Sequence, residues 1–202
     1  LLIPDYPEYK GSKELLPADP QADINGSEWV TGENGKVYSM SAVAYYFAAQ
    51  MQKDLDMPVG ILNLNLGGSS IASWLSREAI DSDAEVKQHL TEGNRYFPAD
   101  EWKEDGHNLY ADMTANYNLR IHPARHFRIS GIIWYQGESD MDKTADEYSD
   151  SIDLLQRSYT EIFGCKNGLL PFIYTQLASY FYSEDGLCLP QRNIDFSNIQ
   201  QE

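Results

Sequence analysis

Gly131-Ile132-Ile133-Trp134-Tyr135-Gln136-Gly137-Glu138-Ser139-Asp140 changes from apolar to polar at its midpoint. Its first half, rich in β-branched and aromatic residues and preceded by the basic stretch around Arg125 and Arg128, reads as a buried strand about to surface. Its second half places an amide, a flexible glycine and two carboxylates where that strand ends. Open α/β sheets bind their ligands at the carboxyl edge, so chemistry is sought there.

Outward from this strand the chain alternates helices and strands. Tyr148, Ile152, Leu155, Tyr159 and Ile162 recur at steps of four and three and predict a helix over Ala145 to Phe163, ended by Gly164. A strand over Leu169 to Leu177 follows, with Pro171 at its start, and then an irregular segment. On the other side, Leu109 to Phe127 reads as a helix that Pro123 turns. Ala42 to Leu55, capped by Ser39 or Ser41 and nearly all apolar in its first turns, reads as a mostly buried helix. Met57-Pro58 stops it, and Val59 to Leu66 follows as a strand. Gly67-Gly68-Ser69-Ser70 then turns the chain into a helix through Ile71, Trp74, Leu75 and Ile80. Asp195 or Ser197 could cap a last helix. The order predicts a doubly wound α/β sheet with parallel neighbours. Residues 1 to 37, with four prolines and four glycines, form an irregular lead-in that wraps the surface.

Composition bounds the function. At 202 residues the chain suits one α/β domain, and 42% apolar with 12% aromatic residues excludes a disordered class. Negative mean hydropathy and the lack of a long apolar run argue against a membrane span. A formal charge of -16 argues against nucleic acid and anionic lipid as partners. Cys165 and Cys188 have no metal-ligand spacing; they read as two unrelated thiols or as one disulfide. His89 and His107 read as solvent-exposed, and no signal peptide is visible.

Two strand exits therefore face one edge, Gly67-Gly68-Ser69 and Gln136-Gly137-Glu138. Ester hydrolysis through a serine needs a nucleophile, a base and two or three N–H donors aimed at the carbonyl oxygen as it becomes an anion. The backbone N–H of Gly67 or Gly68, close to a helix start, and the side-chain amide of Gln136 are the donors this chain offers. Taken singly, each has a plainer reading, a tight turn and a strand-end amide that satisfies loop backbone.

Ser41 to Phe47, Pro58 to Ile61, Gly67 to Trp74 and Gly131 to Asp140 together resemble the sialate O-acetylesterase group of the SGNH hydrolases, over roughly residues 38 to 80 and 108 to 202. The resemblance implies a three-layer αβα, flavodoxin-like parallel sheet and removal of acetyl groups from a sugar, with no cofactor and no metal. It places the second-block glycine on Gly67, with Gly68 beside it, and the third-block amide on Gln136. Glu138 falls on an acidic position expected to hold the loop and the helix behind it. It also implies a secreted, periplasmic or lysosomal setting.

The family's first block, Gly-Asp-Ser or Gly-Gln-Ser, and its Asp-x-x-His are absent from these residues. Ser69, Ser70 and Ser139 match no nucleophile position, and His122 and His126 precede the strand, away from the catalytic edge. The chain is therefore expected to be the middle of an esterase, with the nucleophile and base supplied by another chain or segment that also completes the sheet. Two other readings stand beside it. One is a glycoside hydrolase using Glu138, which needs a second carboxylate about 5 to 9 Å away. The other is a non-catalytic sugar-binding module.

Overall fold

The computed structural model describes residues 2–3, 19–24, 26–33, 35–101, 110–165 and 168–177. His107, Cys188, the segment beyond Leu177 and the helix expected from Asp195 or Ser197 lie outside these residues.

The architecture is α/β. Strand β3 (Ile132–Trp134), helix α5 (Ala145–Phe163) and strand β4 (Phe172–Tyr174) follow one another, and the two strands pair in parallel, Ile132 opposite Phe172 and Trp134 opposite Tyr174. A Cβ at Gly131 would stand 3.1 Å from the Pro171 carbonyl oxygen, so the approach of the two chains at the foot of the pair requires glycine. Both strands are shorter than their apolar runs.

Helix α5 has the predicted bounds because its ends are specified locally. Thr144 Oγ1 accepts from the Glu147 N–H at 3.3 Å, and Glu147 Oε2 accepts from the Thr144 N–H at 2.6 Å, a reciprocal capping box. Gly164 leaves it in the left-handed region at φ 69. Tyr148, Leu155 and Tyr159 bury its inner face against Ile71, Leu75, Ile80 and Met113, which form the centre of the core.

Several expectations are corrected. The single helix expected through Ile71 and Ile80 is three pieces: a 3-10 turn at Ile71–Trp74, α2 (Arg77–Ser82) and α3 (Ala84–Glu92). Ser76 Oγ accepts from the Ala79 N–H at 2.9 Å and Asp83 Oδ1 from the Val86 N–H at 3.1 Å, so each starts a new helix. The helix expected over Leu109 to Phe127 begins only at Ala115, since Thr114 at φ 65 is left-handed. It widens into a π turn at Tyr117–Ile121 before α4 (His122–Ala124), and Pro123 sits inside the last turn instead of ending it. A proline that cannot donate to residue i−4 is tolerated where the regular ladder is already broken.

Helix α1 (Ala42–Leu55) has the expected bounds, with Ser41 Oγ accepting from the Ala44 N–H at 3.4 Å, yet none of its residues is buried and Tyr46 is 72% exposed. An apolar face states a demand for a partner surface; it does not supply one. Val59 to Leu66 carries a single bridge residue, Leu62, instead of a ladder. The lead-in is not wholly irregular, because β1 (Leu2–Ile3) pairs antiparallel with β2 (Glu28–Trp29), while Ile24, Val30 and Val37 are buried. His89 is half-buried, with Nδ1 3.8 Å from Asp150, so it is not simply exposed. Among the described residues no helix is long and apolar enough to cross a membrane.

Candidate active site

The chain leaves Leu66 through a turn in which Gly68 takes φ +78, a conformation that any Cβ would strain. The serines after it are structural. Ser69 Oγ donates to the Leu66 carbonyl at 2.8 Å and accepts from Trp74 Nε1 at 2.9 Å, and Ser70 Oγ donates to the Ala111 carbonyl at 3.0 Å. Both are buried. Trp74 meets Trp134 of β3 edge to face, with ring centroids 6.4 Å apart, which packs the glycine turn against the strand.

From the end of β3, Gln136 reaches back to this turn. Its Nε2 donates to the Ser69 carbonyl at 2.9 Å and to Asp140 Oδ2 at 2.5 Å. The Tyr148 hydroxyl lies 2.9 Å from the Gln136 carbonyl oxygen and 3.0 Å from its Oε1, and accepts from Trp134 Nε1 at 3.3 Å. Two acceptors at one terminal atom and a hydroxyl at the other fix the orientation of the amide. Burial pushes the Tyr148 hydroxyl pKa upward, so it stays a neutral donor.

Asp140 is fully buried and ties the two exits together. Oδ2 accepts from the Ile71 N–H at 2.7 Å as well as from Gln136. Oδ1 makes no hydrogen bond and faces Lys143 Nζ at 3.6 Å and Arg95 Nη1 at 3.7 Å. Burial, the largest influence, raises its carboxyl above the usual range. Lys143, the Ile71 N–H, Gln136 and Arg95 oppose the shift.

Gly67, Gly68, Gln136 and Glu138 line one cleft of about 400 Å³, together with Tyr135 and Ser139. None of the described hydrogen bonds uses the N–H of Gly67 or Gly68. Two expectations change. Glu138 is exposed on the cleft wall, and the holding of the loop belongs to Asp140, two residues on. Gln136 stands at the cleft, but both of its N–H groups already have protein acceptors. His122 is engaged with the Gln21 carbonyl at 3.0 Å, and neither it nor His126 lines the cleft. Among the described residues no cluster of ligands could hold a metal ion. Asp140 and Tyr148 were missed from sequence as partners of Gln136, because the chain between Gln136 and Asp140 is a loop and a 3-10 turn, to which neither helical nor strand spacing applies.

The family model described as carbohydrate esterase, sialic acid-specific acetylesterase matches residues 34–200. The sialate O-acetylesterase of Mus musculus is 26% identical over 196 residues, covering 84% of this chain and 35% of its own length. That of Homo sapiens is 29% identical over 157 residues, covering 74% of this chain and 28% of its own. A crystal structure of a carbohydrate acetylesterase from Xanthomonas citri superposes with a TM-score of 0.69 at 27% identity, covering 92% of this chain and 37% of that one. The chain thus spans about a third of the length of the curated relatives it matches.

Proposed function

The chain belongs to the carbohydrate esterase family of sialic acid-specific acetylesterases, and from that premise we propose that the protein it represents hydrolyses O-acetyl esters carried on sugars. Sialic acid is the sugar that the names of the mouse and human relatives give. The observation that carries the reading is the meeting of the glycine turn and the exit of β3 at one cleft, with a 2.9 Å hydrogen bond from Gln136 to the Ser69 carbonyl between them.

In this reading a serine oxygen attacks the acetyl carbon, a histidine takes the serine proton, and the carbonyl oxygen gains negative charge at the turn. The N–H groups of Gly67 and Gly68 meet that charge first. Gln136 supplies a third donor by exchange: its N–H leaves the neutral Ser69 carbonyl for the developing anion. Hydrogen bonds to a charged acceptor are roughly twice as strong as neutral ones, so the exchange becomes favourable only as the transition state is approached. The bond to Asp140, already an acceptor with anionic character, stays and keeps the amide aimed.

The serine and histidine come from outside these 202 residues, and a further segment or chain completes the sheet as the three-layer, flavodoxin-like fold. The support is that the cleft holds no serine paired with a histidine among the described residues, and that Ile173 and Tyr174 of β4 are about half-exposed. The 202 residues themselves form a single esterase domain segment that acts on an acetylated sugar, with neither nucleic acid nor membrane as partner. A secreted, periplasmic or lysosomal setting goes with the family likeness and is checked by fractionation.

Glycoside hydrolysis fits the site less well. Among the described residues Glu138 is the only carboxylate lining the cleft, and the neighbouring Asp140 is buried and spent on Ile71 and Gln136. Hydrolysis of p-nitrophenyl acetate by the complete protein tests the esterase reading. Turnover is expected, and its absence in folded, complete protein overturns the reading in favour of a sugar-binding module.

A further inference from the structure

Behind the cleft, two turns in succession set a cation over the carboxylate that steadies Gln136. After β3 the Asp140 N–H donates to the Gly137 carbonyl at 2.9 Å and the Lys143 N–H to the Asp140 carbonyl at 3.0 Å, so the chain winds on itself and returns the Lys143 side chain to Asp140. That side chain is only 11% exposed, and its Nζ stands 3.6 Å from Oδ1 of the fully buried carboxylate. From the other side, Asn94 takes φ 54 after α3 and the Arg95 N–H donates back to the Leu90 carbonyl at 2.7 Å, a reversal that brings Arg95 Nη1 to 3.7 Å from the same oxygen. Neither cation lines the cleft.

Among the described residues, each group that meets the Asp140 carboxyl oxygens is a donor or a cation: the Ile71 N–H and Gln136 Nε2 at Oδ2, Lys143 and Arg95 at Oδ1. A proton on Oδ2 would displace one of the two N–H groups, and a proton on Oδ1 would point at two cations. The arrangement therefore suits the carboxylate and not the acid. Burial, the strongest influence on the group, favours the acid, and Lys143 is the strongest of those that oppose it. Arg95 opposes it less, and its Nη2 lies 2.5 Å from Oδ2 of the exposed Asp142, which shares its charge. The ionisable neighbours on α5 are Glu147, which interacts electrostatically with Lys143 and His89, and Tyr148, which burial keeps neutral. The charge of Asp140 bears on the Gln136 amide in two ways. An anionic acceptor holds one N–H firmly and leaves the other free to exchange. An anion with no cation behind it, however, would oppose the negative charge that develops at the turn, and Lys143 offsets it.

Resting on the esterase reading, we infer that Lys143 is a positioning residue for ester hydrolysis, acting through the charge of Asp140 on the Gln136 amide, with Arg95 in a lesser part. The test measures kcat and KM for p-nitrophenyl acetate across pH in the complete protein, comparing the wild type with Lys143→Met, Lys143→Gln and Lys143→Arg. In either neutral variant Asp140 takes up its proton at higher pH, so the ratio of wild-type to variant kcat should widen about tenfold from neutral to mildly acid pH. KM should stay within about twofold, because the amide acts on the transition state. The histidine base ionises alike in all the proteins, so its own titration cancels in the ratio. Lys143→Arg, which keeps the charge, should restore the wild-type profile. Carbon-13 titration of the Asp140 carboxyl reads the charge without turnover, and its midpoint should move upward in the neutral variants alone. A kcat ratio that is constant across pH, whatever its size, makes Lys143 a structural residue and overturns the inference, as does a carboxyl midpoint that does not move or an arginine that fails to restore the profile. Absence of turnover in the folded wild type sinks the esterase reading and this role together, whereas turnover with a constant ratio sinks the role of Lys143 alone.

Discussion

Gln136 donates one N–H to the Asp140 carboxylate at 2.5 Å and the other to the Ser69 carbonyl at 2.9 Å, so a single side chain joins the loop after β3 to the glycine turn. Asp140 closes the same link from below by accepting the Ile71 N–H at 2.7 Å. The cleft is thus held by a buried polar network, and its shape is as sensitive to that network as to the residues on its surface.

Asp140→Ala leaves the Ile71 N–H and one of the two Gln136 amide N–H groups buried without an acceptor. A loss of about 3 kcal/mol in unfolding free energy is expected by analogy with broken buried pairs, and chemical denaturation measures it. Glu138→Ala, at an exposed position, should change stability by less than about 0.5 kcal/mol. Equal effects in the two variants would remove the assignment of the holding role to Asp140.

Gln136→Ala should lower turnover of the complete protein about a hundredfold or more through the lost donor. It should also cost about 1–3 kcal/mol of stability, because Ser69, Asp140 and Tyr148 each lose a partner. A variant with full stability and reduced turnover would make Gln136 a donor with no structural role. One with reduced stability and wild-type turnover would make it a brace alone.

The Asp140 carboxyl is raised above its unfolded value of 3.8, so between that value and its folded pKa the native state binds more protons than the unfolded state. Stability attributable to this group therefore falls as pH rises through that window. Asp81, Asp83 and Glu147 are lowered, and their contributions are lost only as pH falls through their own folded values, below the unfolded ones. Asp140→Asn should make unfolding free energy rise more steeply, or fall less, with pH just above 3.8, where the Asp140 contribution opposes that of Glu147, whose unfolded value is 4.5. A slope equal in both proteins would contradict that contribution.

Gly68→Ala introduces a Cβ at φ +78, where among the described residues the only neighbour within 4 Å is Tyr110 Cδ1 at 3.7 Å, so the expected cost is backbone strain. A loss of about 1–2 kcal/mol is expected. Gly131→Ala acts differently, since its Cβ meets the Pro171 carbonyl oxygen at 3.1 Å and the β3–β4 pair must spread. Hydrogen exchange at Ile132 and Thr175, whose N–H groups cross that pair, should quicken in Gly131→Ala and not in Gly68→Ala.

What the sequence made legible was whatever short-range chemistry specifies. The bounds of α5 follow from Thr144, Glu147 and Gly164, and those of α1 from Ser41 and the Met57-Pro58 stop. Parallel pairing of β3 and β4 follows from a helix lying between two apolar runs. What escaped depends on partners distant in the chain. Helix α1 is as apolar as a buried helix and still lies open. The buried positions Ile71, Trp74, Leu75 and Ile80 mimic one helix although Ser76 and Asp83 divide it. At the site, Gly67, Gly68, Gln136 and Glu138 line one cleft, although the segment before the glycine turn is not a full strand. Of the two acidic residues Asp140, not Glu138, turns inward, and the Ile71 N–H that it meets is far away in sequence.

The most direct measurement is a crystal structure of the complete protein bearing a phosphonyl adduct of an acetyl-ester mimic at its nucleophilic serine. The expected result is a phosphonyl oxygen about 3 Å from the N–H of Gly67 or Gly68 and from Gln136 Nε2, with the Ser69 bond given up and the Asp140 bond kept. An oxygen held by other donors, while Gln136 still bonds to Ser69 and the glycine N–H groups face solvent, would contradict the placement of the oxyanion between the glycine turn and the exit of β3.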